Sequence, residues 1–157
     1  MFCPASSRVL SRGTIWRRAA ILALFAACAQ PPGSGLAPAD FRAAAAGIDW
    51  ELTEINGAPA PAGVGNRRPT IRFDADTARV AGFSGCNRYF GTYTLDGTAL
   101  RFGAIGMTKM ACAQGMELEQ QLAAVLEATR RYELAQRELT LFGDAGVVAK
   151  FVRPSTQ

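Results

Sequence analysis

Three cysteines stand where their chemistry would matter. Cys86 lies in Gly82-Phe83-Ser84-Gly85-Cys86-Asn87-Arg88-Tyr89-Phe90-Gly91-Thr92-Tyr93, a stretch dense in glycine and aromatic residues. Cys112 closes Met107-Thr108-Lys109-Met110-Ala111-Cys112, and Cys28 follows an apolar run. For Cys86 and Cys112 a structural disulfide is the plain reading if the chain is exported to an oxidising compartment. Buried unpaired thiols are the first alternative, and a redox or metal-binding pair the second. A redox pair would more usually be C-x-x-C with one acidified thiol. A metal would need ligands beyond two sulfurs, and the chain has no histidine to supply them.

The missing histidine also removes Ser-His-Asp and Cys-His nucleophilic machinery. Gly82 to Cys86 begins like a G-x-S-x-G nucleophile elbow, but its last position is cysteine and strands flank it on both sides. Residues 103–109 lack the order of a phosphate-binding loop. No catalytic residue, cofactor or metal is therefore assigned. What remains is a possible binding patch of Asn87, Arg88, Tyr89, Thr108 and Lys109. It competes with plainer roles: an Asn that bonds its own turn, a Tyr packed in the core, and polar residues leaving a hairpin.

The elements that would position these residues begin after a leader. Residues 1–28 hold four arginines and no acid, which leaves 13 basic and 13 acidic groups beyond them. The formal charge of +4 thus comes from the leader, and no nucleic-acid partner is implied. An Arg-rich segment, a short apolar run from Ala19 to Ala27 and small residues at its end follow the order of a secretory signal. Leu24-Phe25-Ala26-Ala27-Cys28 resembles a lipobox, with Phe25 where leucine is usual, so Cys28 is the expected lipidation site. Lipid there would hold the protein on a membrane, with the periplasmic face of the outer membrane as the default. Ordinary cleavage nearby, giving a soluble periplasmic or secreted protein, is the alternative. Residues 29–46, rich in Pro, Gly and Ala, read as a tether, although the alanines after Asp40 could make a turn of helix.

Residues 47–153 read as the folded domain. Short apolar runs separated by turn residues predict strands over 50–55, 70–73, 78–83, 88–95, 98–102, 132–135, 138–142 and 147–152. Asp96-Gly97 is the strongest hairpin signal. Leu118, Leu122, Val125 and Leu126 make an apolar stripe at helical spacing, with Glu119, Gln120, Ala123 and Glu127 on what reads as a solvated face. About eight strands and one helix predict a mainly β (α+β) fold: a small antiparallel barrel, curled or closed, with the helix packed on it or plugging one end. An open α+β sheet is the runner-up.

Trp50-Glu51-Leu52 with Asn56-Gly57, then Gly85-Cys86-Asn87-Arg88-Tyr89 with Gly91-Thr92-Tyr93, then Met107 to Cys112, resemble the META domain. This is the family of the heat-inducible bacterial lipoprotein HslJ, and the resemblance covers about residues 47–152. It implies a lipocalin-like barrel with one helix, an envelope location and an association with stress and drug tolerance. It implies no catalytic residues. The expected function is that of a non-enzymatic envelope lipoprotein that binds an envelope protein or small molecule. The alternatives are a carrier or sensor with an apolar ligand inside the barrel, and a proteinaceous inhibitor of an exported hydrolase.

Overall fold

The computed structural model describes residues 38–155. The leader, Cys28 and residues 29–37 lie outside the described residues. The chain divides at residue 33, and all the described residues belong to the second unit, 33–157.

Among the described residues there are ten strands, and apolar–polar alternation broken by turn formers produces the eight longer ones. The ten are β1 (Trp50–Ile55), β2 (Ala58–Pro59), β3 (Thr70–Asp74), β4 (Arg79–Phe83), β5 (Arg88–Asp96), β6 (Ala99–Phe102), β7 (Gly106–Met107), β8 (Arg131–Ala135), β9 (Glu138–Gly143) and β10 (Gly146–Val152). Eight of them pair antiparallel in the order β10-β9-β8-β6-β5-β4-β3-β1, and β1 pairs again with β10 to close the barrel. Closure leaves no long unpaired edge. The two-residue strands β2 and β7 are additions, paired with β1 and β5. They are too short for any periodicity to announce them.

The closing seam is bulged. Trp50, Leu52 and Ile55 all face the core, although strict alternation would place Glu54 there. The β1–β10 register shifts between Leu52 and Glu54, which turns Ile55 inward and Glu54 outward to meet Lys150 at 3.0 Å. Bulges of this kind bend strands and help a small barrel close.

Two helices fill what the strands enclose. Helix α1 (Pro38–Ala45) precedes β1, and helix α2 (Met116–Ala128) precedes β8. In the closed order β1 and β8 run in opposite directions, so the helices enter at opposite ends. The ring of Phe41, fully buried, packs against Phe73 at 5.1 Å and Tyr132 at 4.3 Å between centroids. Phe73 and Tyr132 stand on β3 and β8, which lie diametrically across the barrel. Phe41 therefore sits near the barrel axis. The Trp50 indole N–H donates to the Ala45 carbonyl at 3.0 Å, and Gly47 N–H to Phe73 O at 2.9 Å. The tether expected over residues 29–46 needs correction here. Its last nine residues belong to the domain, because Phe41 supplies the apolar anchor that the alanines alone lack.

Helix α2 buries Leu118, Leu122, Val125 and Leu126, the stripe that the spacing predicts. Its C-terminal carbonyls are met by the Thr129 hydroxyl, which donates to Val125 O, and by Arg130, which donates to Glu127 O. Trp50, Tyr89, Tyr132, Phe73 and Phe151 complete an interior of packed side chains. Phe102 is only half-buried at its margin, and Phe142 lies under the Arg131 guanidinium at 3.5 Å.

Phe41→Ala should lower the unfolding free energy by about 3–5 kcal/mol, the range for emptying a large aromatic site. Urea unfolding measures it. A loss below about 1 kcal/mol would mean that α1 rests on the barrel without holding it.

Candidate functional site

The turn between β4 and β5 is built from Ser84, Gly85, Cys86 and Asn87, all buried. Backbones crowd there. Gly85 has φ +110°, and a Cβ on Gly115 would stand 2.3 Å from the Gly85 carbonyl oxygen. The start of α2 can approach the turn so closely only because Gly115, at φ +87°, carries no side chain.

Asn87 joins three segments through this approach. Its Oδ1 accepts from the Met110 N–H at 2.8 Å and from the Thr108 hydroxyl at 2.9 Å. Its Nδ2 donates to Met110 O at 3.1 Å and to Glu119 Oε1 at 3.3 Å. Two donors and two acceptor positions are thus all engaged, which is the full capacity of a side-chain amide. Glu119 is occupied as well: its Oε2 accepts from the Ser84 hydroxyl at 2.5 Å and from the Asn87 backbone N–H at 2.9 Å. Among the described residues no buried side-chain nitrogen or oxygen lacks a partner.

Beside this network Cys86 and Cys112 form a disulfide. The bond spans 26 residues of sequence and fastens the segment after β7 to the β4–β5 turn. In the chain-entropy treatment a loop of that length is worth about 3.5 kcal/mol. The open alternatives of free thiols or a metal pair therefore give way to the plain reading. Among the described residues no three Cys, Asp or Glu side chains gather as metal ligands.

The expected binding patch divides into three environments. Asn87 belongs to the buried joint, Thr108 reaches it from the exposed side through its hydroxyl, and Lys109 is exposed beside it. Tyr89 lies in the core with its hydroxyl donating to Thr70 O at 2.9 Å. Burial pushes that hydroxyl far above the ordinary phenol range. Arg88 points outward onto the barrel wall.

Glu119 and Ser84 are the members that residue reading misplaces. Glu119 reads as part of the solvated face of α2, but it precedes Leu122 and Leu126 by three and seven positions. That spacing puts it on the border of the buried stripe, where a carboxylate can turn toward the strands. Over the joint lies an open groove of about 520 Å³ lined by Ile105, Met107, Met110 and Met116, with Met110 61% exposed.

A closed, side-chain-filled barrel with plugging helices and a disulfide-fastened turn defines the class of this protein. The family model of the META domain matches residues 43–156, and the chain belongs to that family. Among solved structures, the NMR structure of a protein from Burkholderia xenovorans is similar, with 25% identity and a TM-score of 0.61 over 81% of this chain and 94% of that one. A second NMR structure shares 24% identity at a TM-score of 0.56, covering 74% of this chain and 95% of that one. A crystal structure of a DUF4847 family protein from Bacteroides vulgatus ATCC 8482 shares 17% identity at a TM-score of 0.53, covering 74% and 99%. The last two show likeness of fold alone. A search of curated proteins finds no match.

Asn87→Ala should destabilise the fold by about 3 kcal/mol, since it strands several buried partners at once. In a double-mutant cycle with Glu119→Gln, urea unfolding should return a coupling of about 0.5–3 kcal/mol. Strict additivity would mean that the two residues act separately.

The pH dependence follows from Tyr89. Its folded pKa is raised, so above the unfolded value of about 10 the unfolded chain releases a proton that the folded chain keeps. Stability is complete below that pH and falls above it by about 1.4 kcal/mol per pH unit from this residue. Alkaline unfolding monitored by circular dichroism should show this slope, and Tyr89→Phe should remove Tyr89's share of it.

Proposed function

We propose that this META-domain protein is an exported, lipid-anchored module of the cell envelope that binds through its outer surface. The observation that carries this reading is the packed interior. Phe41, Trp50, Phe73, Tyr89, Tyr132 and Phe151 leave the barrel filled with protein. Carriage of an apolar ligand inside it would require expelling Phe41 and the helix that bears it.

Two further features support the reading. The Cys86–Cys112 bond suits a chain that matures outside the reducing cytosol. The segment Leu24 to Cys28 has the small residues and the cysteine that lipid attachment uses. A binding role also suits the joint better than catalysis does. Ser84, Asn87 and Glu119 have committed their polar atoms to one another, to Thr108 and to the Met110 backbone, so none is poised to attack or to move a proton.

Intact-mass measurement on protein recovered from an envelope fraction tests this directly. The expected mass begins at an acylated Cys28, with no thiol alkylated until reductant is added and two alkylated afterwards. Unmodified Cys28, or free Cys86 and Cys112 without reduction, would overturn the export and anchoring assignment.

A further inference from the structure

The outer wall of β3, β4 and β5 carries an arrangement that the joint does not use. Register places Arg72, Ala81 and Phe90 side by side across the three strands, with Gly106 of β7 next to Phe90. One step toward the α1 end the row is Asp74, Arg79 and Thr92. One step the other way it is Thr70, Phe83 and Arg88, with the Arg67 guanidinium 4.2 Å above the Phe83 ring. Two open grooves, of about 390 and 570 Å³, meet along Arg72, Ala81 and Phe90.

Phe90 is 60% exposed at the centre of this wall. Its ring leans over Gly106, where a Cβ would come within 2.8 Å, but its other face is open. Four arginines surround it. Arg72 is offset by Asp49 at 3.1 Å, whereas Arg67, Arg79 and Arg88 make no ion pair among the described residues. Asp74, directly across from Arg79, offsets part of that guanidinium's charge while it accepts the backbone N–H groups of Thr77 and Asp76. Beyond the leader the chain is electrically neutral, so this wall is a local concentration of positive charge.

We infer that this wall docks on an anionic membrane surface, with the guanidinium groups on lipid phosphates and Phe90 at the headgroup boundary. The form of the site favours that occupant over a small anion. These arginines are exposed and spread over a wall instead of converging in a recess, and the ring between them has an apolar face to bury. Basic and aromatic side chains together are the ordinary composition of an interfacial contact. Chain entry agrees with it. Helix α1 ends at the same end of the barrel as the Asp74–Arg79 hairpin, as the Gly47–Phe73 hydrogen bond shows. Nine residues lie between Cys28 and Pro38, and the ten steps reach about 35 Å when extended. An anchor at Cys28 would bring this end close to the bilayer; that last point rests on the anchoring proposed above, and the wall itself does not.

The unit 33–157 contains the whole described barrel and lacks Cys28, so it isolates the wall from the anchor. Its sedimentation with vesicles of phosphatidylcholine alone and of phosphatidylcholine with phosphatidylglycerol is the test. Binding is expected only to the anionic vesicles and should weaken as salt rises. Arg79→Gln and Arg88→Gln should each reduce partitioning by about fivefold. Phe90→Ala should reduce it at low and high salt alike. All three positions are exposed, and an unchanged thermal unfolding curve verifies that each variant is folded. Equal binding to neutral vesicles, no binding at all, or binding indifferent to these substitutions would overturn the inference. So would displacement from the vesicles by inorganic phosphate at its phosphorus-matched concentration, or a stable complex with an acidic envelope protein that the same substitutions abolish while vesicle binding survives.

Discussion

The side-chain amide of Asn87 is the constraint on which the site end of the barrel depends. It occupies a turn whose backbone groups cannot pair with a neighbouring strand, because β4 and β5 have already separated there. Buried groups without partners are costly, and this turn is buried by the start of α2. Glu119 and Ser84 accept the Asn87 backbone N–H, and the Asn87 amide fastens the turn to its covers, with a hydrogen-bond pair to the Met110 backbone, as a strand would give, and one bond to Glu119 of the helix. A hydroxyl or a carboxylate could not do this, since neither combines two donors with two acceptors.

The disulfide acts on the same contact from the side of the unfolded chain. It restricts the segment between residues 86 and 112 before folding, whereas the Asn87 bonds act only once the segment has docked. The two devices are complementary because the docked strand, β7, has two residues and little ladder of its own. At the other end Phe41 serves a similar purpose by different physics, filling the axis where β3 and β8 face each other. With both ends closed and the interior packed, the surface is what the barrel can offer to a partner.

Much of this was legible from residue order. The eight barrel strands and the buried stripe of α2 follow from periodicity, since each is long enough to repeat its pattern. Helix α1 was harder, because an alanine run beside prolines has the composition of a linker, and only Phe41 distinguishes it. Strands β2 and β7 have no period to detect. At the joint the cysteine pairing could be anticipated; Asn87 was legible as a binding or turn-bonding residue but not as the link to Met110, and Glu119 was not legible at all. Its position on the helix is a border, and which side a border residue joins depends on what packs there.

The same reasoning gives a structural account of a glycine-rich stretch around a cysteine and a serine that resembles a reactive site. Glycines accumulate wherever backbones must nearly touch, and an active site is one such place. Here the touching backbones belong to the Gly85 turn and the Gly115 helix start, where no Cβ would fit. The serine that resembles a nucleophile donates its hydroxyl proton toward a carboxylate already engaged by Asn87, which gives it a part in satisfying the turn. Close approach explains the glycines, satisfaction of buried groups explains Ser84, Asn87 and Glu119, and chain restriction explains the cysteines. With those residues accounted for, exposed Phe90 with Arg79 and Arg88 nearby is an apolar ring amid charge whose exposure the packing does not require.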